Sequence, residues 1–173
     1  MTTRIAFAAV IALVGLQRLA EMRLSRRNAR RSFEMGGFER GRGHVPAMVA
    51  LHAALLAGAV LEVFLLERPF RPALAAPMLA LALAAQGVRL WTMAALGPRW
   101  TTRVIAVPGL PPVRTGPYRW LDHPNYLAVA AEGAALPLLH SAWVTAAVFT
   151  VLDSILLAVR VRCEEAALRE AST

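Results

Sequence analysis

Two short segments of this sequence carry the residue types of a binding or reaction site. The first, Gly97 to Tyr126, holds Arg99, Arg103, Arg114 and Arg119, the aromatics Trp100, Tyr118, Trp120 and Tyr126, and the run His123-Pro124-Asn125-Tyr126. Pro98, Pro108, Pro111, Pro112, Pro117 and Pro124 stiffen it, since each ring fixes a backbone torsion and lowers the entropy lost on ordering. Rigid loops of that kind suit binding sites. The bland reading of the same composition is an interfacial belt, with Trp and Tyr at headgroup level and Arg on lipid phosphates. The second segment, Arg160 to Glu165, places Arg160 and Glu164 four residues apart and so on one helix face. Asp153 lies on that face, about 10 Å deeper by helical rise. Glu132, seven residues after Asn125, reaches a similar depth on the preceding apolar stretch. Two carboxyls among apolar residues point to a pocket, because charge inside a bilayer is expensive and faces protein or water. Their structural alternative is a paired carboxyl that pins two helices together, with Arg89 and Gln86 as available partners.

The elements that must position these residues are membrane helices. The chain has 173 residues, 57% hydrophobic, with mean hydropathy +0.50, too apolar for an ordinary soluble domain of this size. All 19 basic residues are Arg, most of them between apolar runs, and the net charge is +8. That distribution fits the positive-inside rule better than nucleic-acid binding. The one cysteine, Cys163, excludes an internal disulfide framework and a CxxC motif. His44, His52, His123 and His140 show no metal-ligand spacing, so no metal site is expected.

Along the chain, a first apolar run covers about Thr3 to Leu19. The basic block Arg23, Arg26, Arg27, Arg30 and Arg31, continuing to Arg40 and Arg42 among glycines, reads as a cytoplasmic loop and argues against a cleaved signal peptide. A second helix is expected from about Val45 to Leu66, ended by Pro69 and Pro72, and a third from about Ala73 to Leu96. The stretch from Tyr126 to Val161 is too long for one span, and Pro137 with His140-Ser141 breaks it into a hairpin whose second arm starts near Ala142. The expected architecture is all-α integral membrane: a single domain over 1–173, about five transmembrane helices, a three-helix N-terminal part (1–96) and a catalytic part (97–173). Counting sides by the Arg rule puts the loop and the C-terminus together on the cytosolic face, and the expected location is a bacterial inner (cytoplasmic) membrane.

The string Gly116-Pro117-Tyr118-Arg119-Trp120-Leu121-Asp122-His123-Pro124-Asn125-Tyr126, a helical hairpin and then Arg160-Val161-Arg162-Cys163-Glu164-Glu165 resembles the isoprenylcysteine carboxyl methyltransferase family over roughly residues 90 to 170. With Leu96-Gly97 through Trp100-Thr101-Thr102-Arg103 and Glu132, it is similar to a bacterial subgroup that includes O-methyltransferases of alkylpyrones and alkylresorcinols. Related signatures also occur in phospholipid N-methyltransferases and membrane sterol reductases. The resemblance implies that S-adenosylmethionine binds between the proline-rich loop and the C-terminal helix while a lipid-tailed acceptor enters from the bilayer. Carried over residue by residue, Tyr118, His123, Pro124, Asn125, Tyr126 and Glu164 would hold the cofactor, helped by backbone at Leu110 to Val113, and Arg160 would sit near the acceptor oxygen. Asp122 departs from the family, which usually has Arg before His-Pro; Arg119 or Arg114 would have to replace that Arg.

The methyl donor in such a reaction is a cationic sulfonium, so a dry, aromatic-walled pocket suits transfer to an anionic oxygen and positioning does most of the work. Tyr118 or Tyr126 can face the sulfonium and Glu164 can take the amino group of the methionine portion. A prenylcysteine carboxylate needs only a positive clamp such as Arg160. A phenol needs a base, and Glu132 is the expected one, which favours a phenolic or enolic lipid. The competing expectations are a membrane NADPH-dependent lipid reductase and a non-enzymatic scaffold.

Overall fold

The computed structural model describes residues 1–172, so Thr173, the end of the expected 1–173 domain, lies outside the described residues. Five helices run in sequence: α1 (Thr2–Glu34), α2 (Val45–Leu65), α3 (Pro72–Leu96), α4 (Pro124–Leu138) and α5 (Trp143–Ala171). Four of them, all but α4, are long and apolar enough to cross a membrane, and the protein is an integral membrane protein on that evidence. The expected five spans become four and a shorter helix. At 15 residues, α4 is about 22 Å long by helical rise, less than the roughly 30 Å of a bilayer core. The turn after it nevertheless reaches the far end of the bundle. There His140 Nε2 lies 3.2 Å from Thr3 Oγ1, and its ring packs against Phe7 and Phe70.

The apolar core follows from this arrangement. Phe7 and Ile11 of α1, Ala59 and Val63 of α2, Ala82 of α3, and Ala135 and Leu136 of α4 form one buried cluster. Most of the larger side chains point outward instead, as Leu13, Leu61, Leu83, Val151 and Ile155 do, the inverted distribution expected when lipid is the solvent. The start of α5 is capped from α2: both carboxylate oxygens of Glu62 accept backbone N–H groups, Val144 at 3.1 Å and Thr145 at 2.7 Å. Arg68 closes the same carboxylate at 2.8 Å.

Two expectations are corrected here. The basic block 23–31 is not a loop, because α1 continues through it to Glu34. Glu21, Ser25, Asn28, Ala29 and Ser32 are buried while Arg23, Arg26, Arg27, Arg30 and Arg31 are exposed, so the block is the solvated face of a helix whose other face packs on protein. Similarly, α5 runs past the expected end of this arm near Val161 to Ala171, and Arg160 and Glu164 lie on that one helix, as their spacing predicts. Beyond the helices, strands β1 (Phe38–Arg40) and β2 (Val104–Ala106) pair antiparallel, with Phe38 opposite Ala106 and Arg40 opposite Val104. Val104 and Ala106 pack with Ala167 of α5, so this ribbon ties both loops to the end of α5.

Candidate active site

The loop between α3 and α4 is held from three directions. From α1, Asn28 Nδ2 donates to the Trp100 carbonyl at 2.8 Å, and Ser25 Oγ accepts from Thr102 N at 2.9 Å. From the ribbon, Glu39 takes hydrogen bonds from both Arg103 and Arg42. Burial favours the neutral form of Glu39, but those guanidiniums outweigh it and hold the carboxyl below its usual range, while the same pairing raises Arg103. From α3, the 3₁₀ turn Gly116–Arg119 sits against Trp91 and Ala95. Gly116 has φ +61°, and a Cβ there would stand 2.8 Å from that of Ala95, so only glycine lets Pro117 and Tyr118 approach α3 this closely. Within the loop, Arg99 Nη1 donates to the Pro111 carbonyl at 2.7 Å.

The loop and the last turns of α5 enclose a cavity of about 400 Å³, within the range of small-molecule sites. Tyr118, His123, Asn125, Tyr126, Arg160 and Glu164 all line it, as do Leu110 and Val113. Pro124 is buried at the first turn of α4, where a missing N–H costs nothing, and so starts the helix that carries Asn125 and Tyr126. The Tyr126 hydroxyl joins the two sequence segments: Arg160 Nε donates to it at 2.9 Å and it donates to Glu164 Oε2. Arg160 also lies over the Tyr126 ring, 5.4 Å from its centroid, and His123 stacks on the same ring at 5.3 Å and 11°. Arg160 and Glu164 thus meet through Tyr126. The Tyr118 phenol is pushed above its ordinary value by burial and then by the nearby Glu164 carboxylate, so it stays protonated and able to donate.

Glu132 lies elsewhere. Both its oxygens are 2.5 Å from Arg18 Nη2, and Arg18 in turn bonds Glu21 at 2.7 Å and 2.8 Å. Glu21 also holds Arg89, 2.5 Å away. Glu132 was expected as a base beside the acceptor, but both its oxygens are bound by Arg18 and it does not line the 400 Å³ cavity. It borders a small cavity of about 30 Å³ with Arg18, His52 and Arg89. Of the available partners for the two carboxyls, Arg89 serves Glu21 instead and Gln86 lies 3.5 Å from Arg18. Asp153 is 1% exposed, and its Oδ1 has no hydrogen-bond partner; it too lies outside the large cavity.

Sequence reasoning missed the α1 contribution. Its signal was present: Glu21, Ser25, Asn28, Ala29 and Ser32 recur at helical spacing between the arginines. It also missed Val104 and Leu168, which line the cavity together with Trp100, Arg103 and Asp122. Trp100 is 2% exposed and so belongs to the wall and not to a membrane belt.

A membrane protein whose loop and last helix close over such a cavity defines a class, and residues 78–170 match the isoprenylcysteine carboxyl methyltransferase (ICMT) family. The chain belongs to that family, which implies a methyltransferase and, for the family in general, S-adenosylmethionine as methyl donor. It is 37% identical over 167 residues, 96% of this chain and 98% of the relative, to "Uncharacterized protein YpbQ" of Bacillus subtilis (strain 168). No solved structure matches.

The cavity residues fit that cofactor. His123 Nδ1 and Asn125 Oδ1 are buried without hydrogen-bond partners, and both residues face the cavity, which leaves a donor or acceptor of a ligand to satisfy them. Glu164 and Glu165 stand 3.8 Å from the two His123 nitrogens and, with Asp122, place carboxylates where an ammonium group can be bound.

Proposed function

We propose that this protein is an S-adenosylmethionine-dependent O-methyltransferase acting on a lipid-tailed acceptor, an alkylpyrone- or alkylresorcinol-like ring or an isoprenylcysteine carboxylate, from the cytosolic face of the membrane. The observation that carries the reading is the convergence of His123, Asn125, Tyr126, Arg160 and Glu164 on one cavity, with two buried polar atoms unpartnered. When bound, the cofactor supplies a methyl group on a sulfonium. Glu164 and Glu165 bind the amino end, His123 and Asn125 bind polar groups through their free atoms, and Leu110 and Val113 cover an apolar face. Tyr118 and Tyr126 offer ring faces to the cation. Arg160, 7% exposed, orients and neutralises the acceptor oxygen, since its Nε is spent on Tyr126 and its Nη1 on the Met48 sulfur while Nη2 remains for a ligand. Burial excludes water and strengthens each of these contacts.

Equilibrium binding of radiolabelled S-adenosylmethionine to the detergent-purified protein tests the reading. Binding is expected in the wild type and is expected to fall at least tenfold in His123→Ala and in Glu164→Ala. A folded wild-type protein that does not bind the cofactor would remove the methyltransferase assignment and favour the reductase or the scaffold.

A further inference from the structure

Away from the cavity, charge is concentrated on the outer face of α1. Arg23, Arg26, Arg27, Arg30 and Arg31 are all exposed, none of them lines the cavity, and spacings of three and four residues set them on one helix face. Among the described residues, no ion pair joins any of the five to a carboxylate. Glu21 is held by Arg18 and Arg89, and Glu39 by Arg42 and Arg103. Leu19 and Leu16, one and two turns before Arg23, are exposed on the same face, so it passes from apolar to cationic without a break. Depth fixes what each part meets. Thr3 stands at the far end of the bundle beside His140, and the rise from Thr3 to Arg23 is about 30 Å, the thickness of a bilayer core. The helix therefore leaves the core near Arg23, and the next stretch of about 12 Å, to Arg31, runs through the headgroup layer.

We infer that this face of α1 is a binding surface for anionic phospholipids, with acyl chains along Leu16 and Leu19 and headgroup phosphates on the arginines from Arg23 to Arg31. A partner must be apolar up to Arg23 and anionic beyond it, along one helix face. A phospholipid has that order by construction, whereas a nucleic acid has no part that fits the leucines. Guanidinium forks bind phosphate oxygens in pairs and keep their charge at any working pH. A zwitterionic headgroup offsets its phosphate with its own ammonium, so the surface selects lipids of net negative charge. The inner face of the same turns holds the cavity loop, Asn28 at the Trp100 carbonyl and Ser25 at Thr102 N. A lipid bound outside therefore steadies the stretch of α1 on which that loop is anchored.

The test uses the full chain in phosphatidylcholine vesicles and needs no cofactor. Trace spin-labelled phosphatidylglycerol or spin-labelled phosphatidylcholine is added, and the fraction of each label immobilised at the protein surface is measured by electron paramagnetic resonance. The wild type is expected to favour phosphatidylglycerol about threefold or more, since each arginine at the surface contributes up to about fivefold. That preference should largely vanish in 1 M salt, where the Debye length is about 3 Å. The triple variant Arg23→Gln/Arg27→Gln/Arg30→Gln is expected to bring the ratio close to one, while Arg23→Lys/Arg27→Lys/Arg30→Lys keeps most of it. Equal Tm values for wild type and both variants in uncharged detergent serve as proof of fold. A wild type without preference would overturn the inference and leave the arginine face to an acidic protein partner. A preference that survives the glutamine substitutions would overturn it as well, because the anionic lipid would then sit elsewhere. The salt comparison needs only the wild type, and a preference untouched by 1 M salt would remove the role of the guanidiniums.

Discussion

Replacing Gly133 by alanine puts a methyl group into the contact between α4 and α5. The new Cβ would lie 2.0 Å from Phe149 Cε1, 2.6 Å from Cδ1 and 2.9 Å from Cζ. Carbon atoms pack at about 3.5–4.0 Å, so the ring or the helix must move by roughly 1.5 Å. The ring has little room: Phe149 is 2% exposed and edge-on to His52 at 5.3 Å, whose Nδ1 is in turn held 2.8 Å from the Met48 carbonyl. Overpacking of this kind costs about 1–3 kcal/mol, and the fixed ring puts Gly133→Ala in the upper half of that range. For a chain of this size that corresponds to a fall in Tm of about 4–12 °C, measurable by thermal unfolding in detergent. The displacement also reaches the site. Tyr126 lies two turns back along α4 and bridges Arg160 to Glu164, and a misplacement of about 1 Å can cost on the order of 100-fold in rate. Adding Phe149→Leu should restore much of both losses by reopening the contact. A Gly133→Ala protein that unfolds at the wild-type temperature and binds cofactor with wild-type affinity would refute the reasoning.

Glu132→Gln is expected to lower stability by about 1–3 kcal/mol, less than for an orphaned charge because Arg18 keeps Glu21, while methyl transfer continues. Loss of transfer at unchanged Tm would show instead that this carboxylate serves as a base. Glu39→Gln removes the acceptor shared by Arg103 and Arg42, and Tm should fall by several degrees as the ribbon loosens. Because the folded carboxyl is held below its usual value of 4.5, the stability it adds is present above that pH and lost as pH falls through the folded value. The wild-type advantage over Glu39→Gln should therefore be full at pH 6–7 and shrink below about pH 4.5 in an unfolding series.

Where the polar segments lie was legible in the chain because the signals are local. Proline density, His123-Pro124-Asn125-Tyr126 and the i, i+4 pair of Arg160 and Glu164 each depend on a few neighbouring residues, and Pro111, Pro112, His123, Asn125, Tyr126, Arg160 and Glu164 line the same cavity. Partner choice was not local. Arg18 and Glu132 are 114 residues apart, and nothing in either neighbourhood distinguishes Arg18 from Arg89 as the partner. The basic block was read by charge, which overshadowed the buried stripe of Ser25, Asn28 and Ser32 beneath it. Three-residue strands such as β1 and β2 have too few residues to show a period, so the ribbon had no signal to find.

By itself, then, the amino-acid sequence determined that this protein lives in a membrane, since hydrophobic length and the positions of 19 arginines are properties of the chain alone. It also marked the two polar segments that line one cavity. Only the tertiary structure decided how those segments meet, through the hydroxyl of Tyr126, and which groups are spent on holding the helices together. Glu132 is spent on Arg18 while His123 and Asn125 keep unpartnered atoms at the cavity, and the physical reason is one: a hydrogen-bonding atom is available for chemistry only if packing has not already supplied its partner.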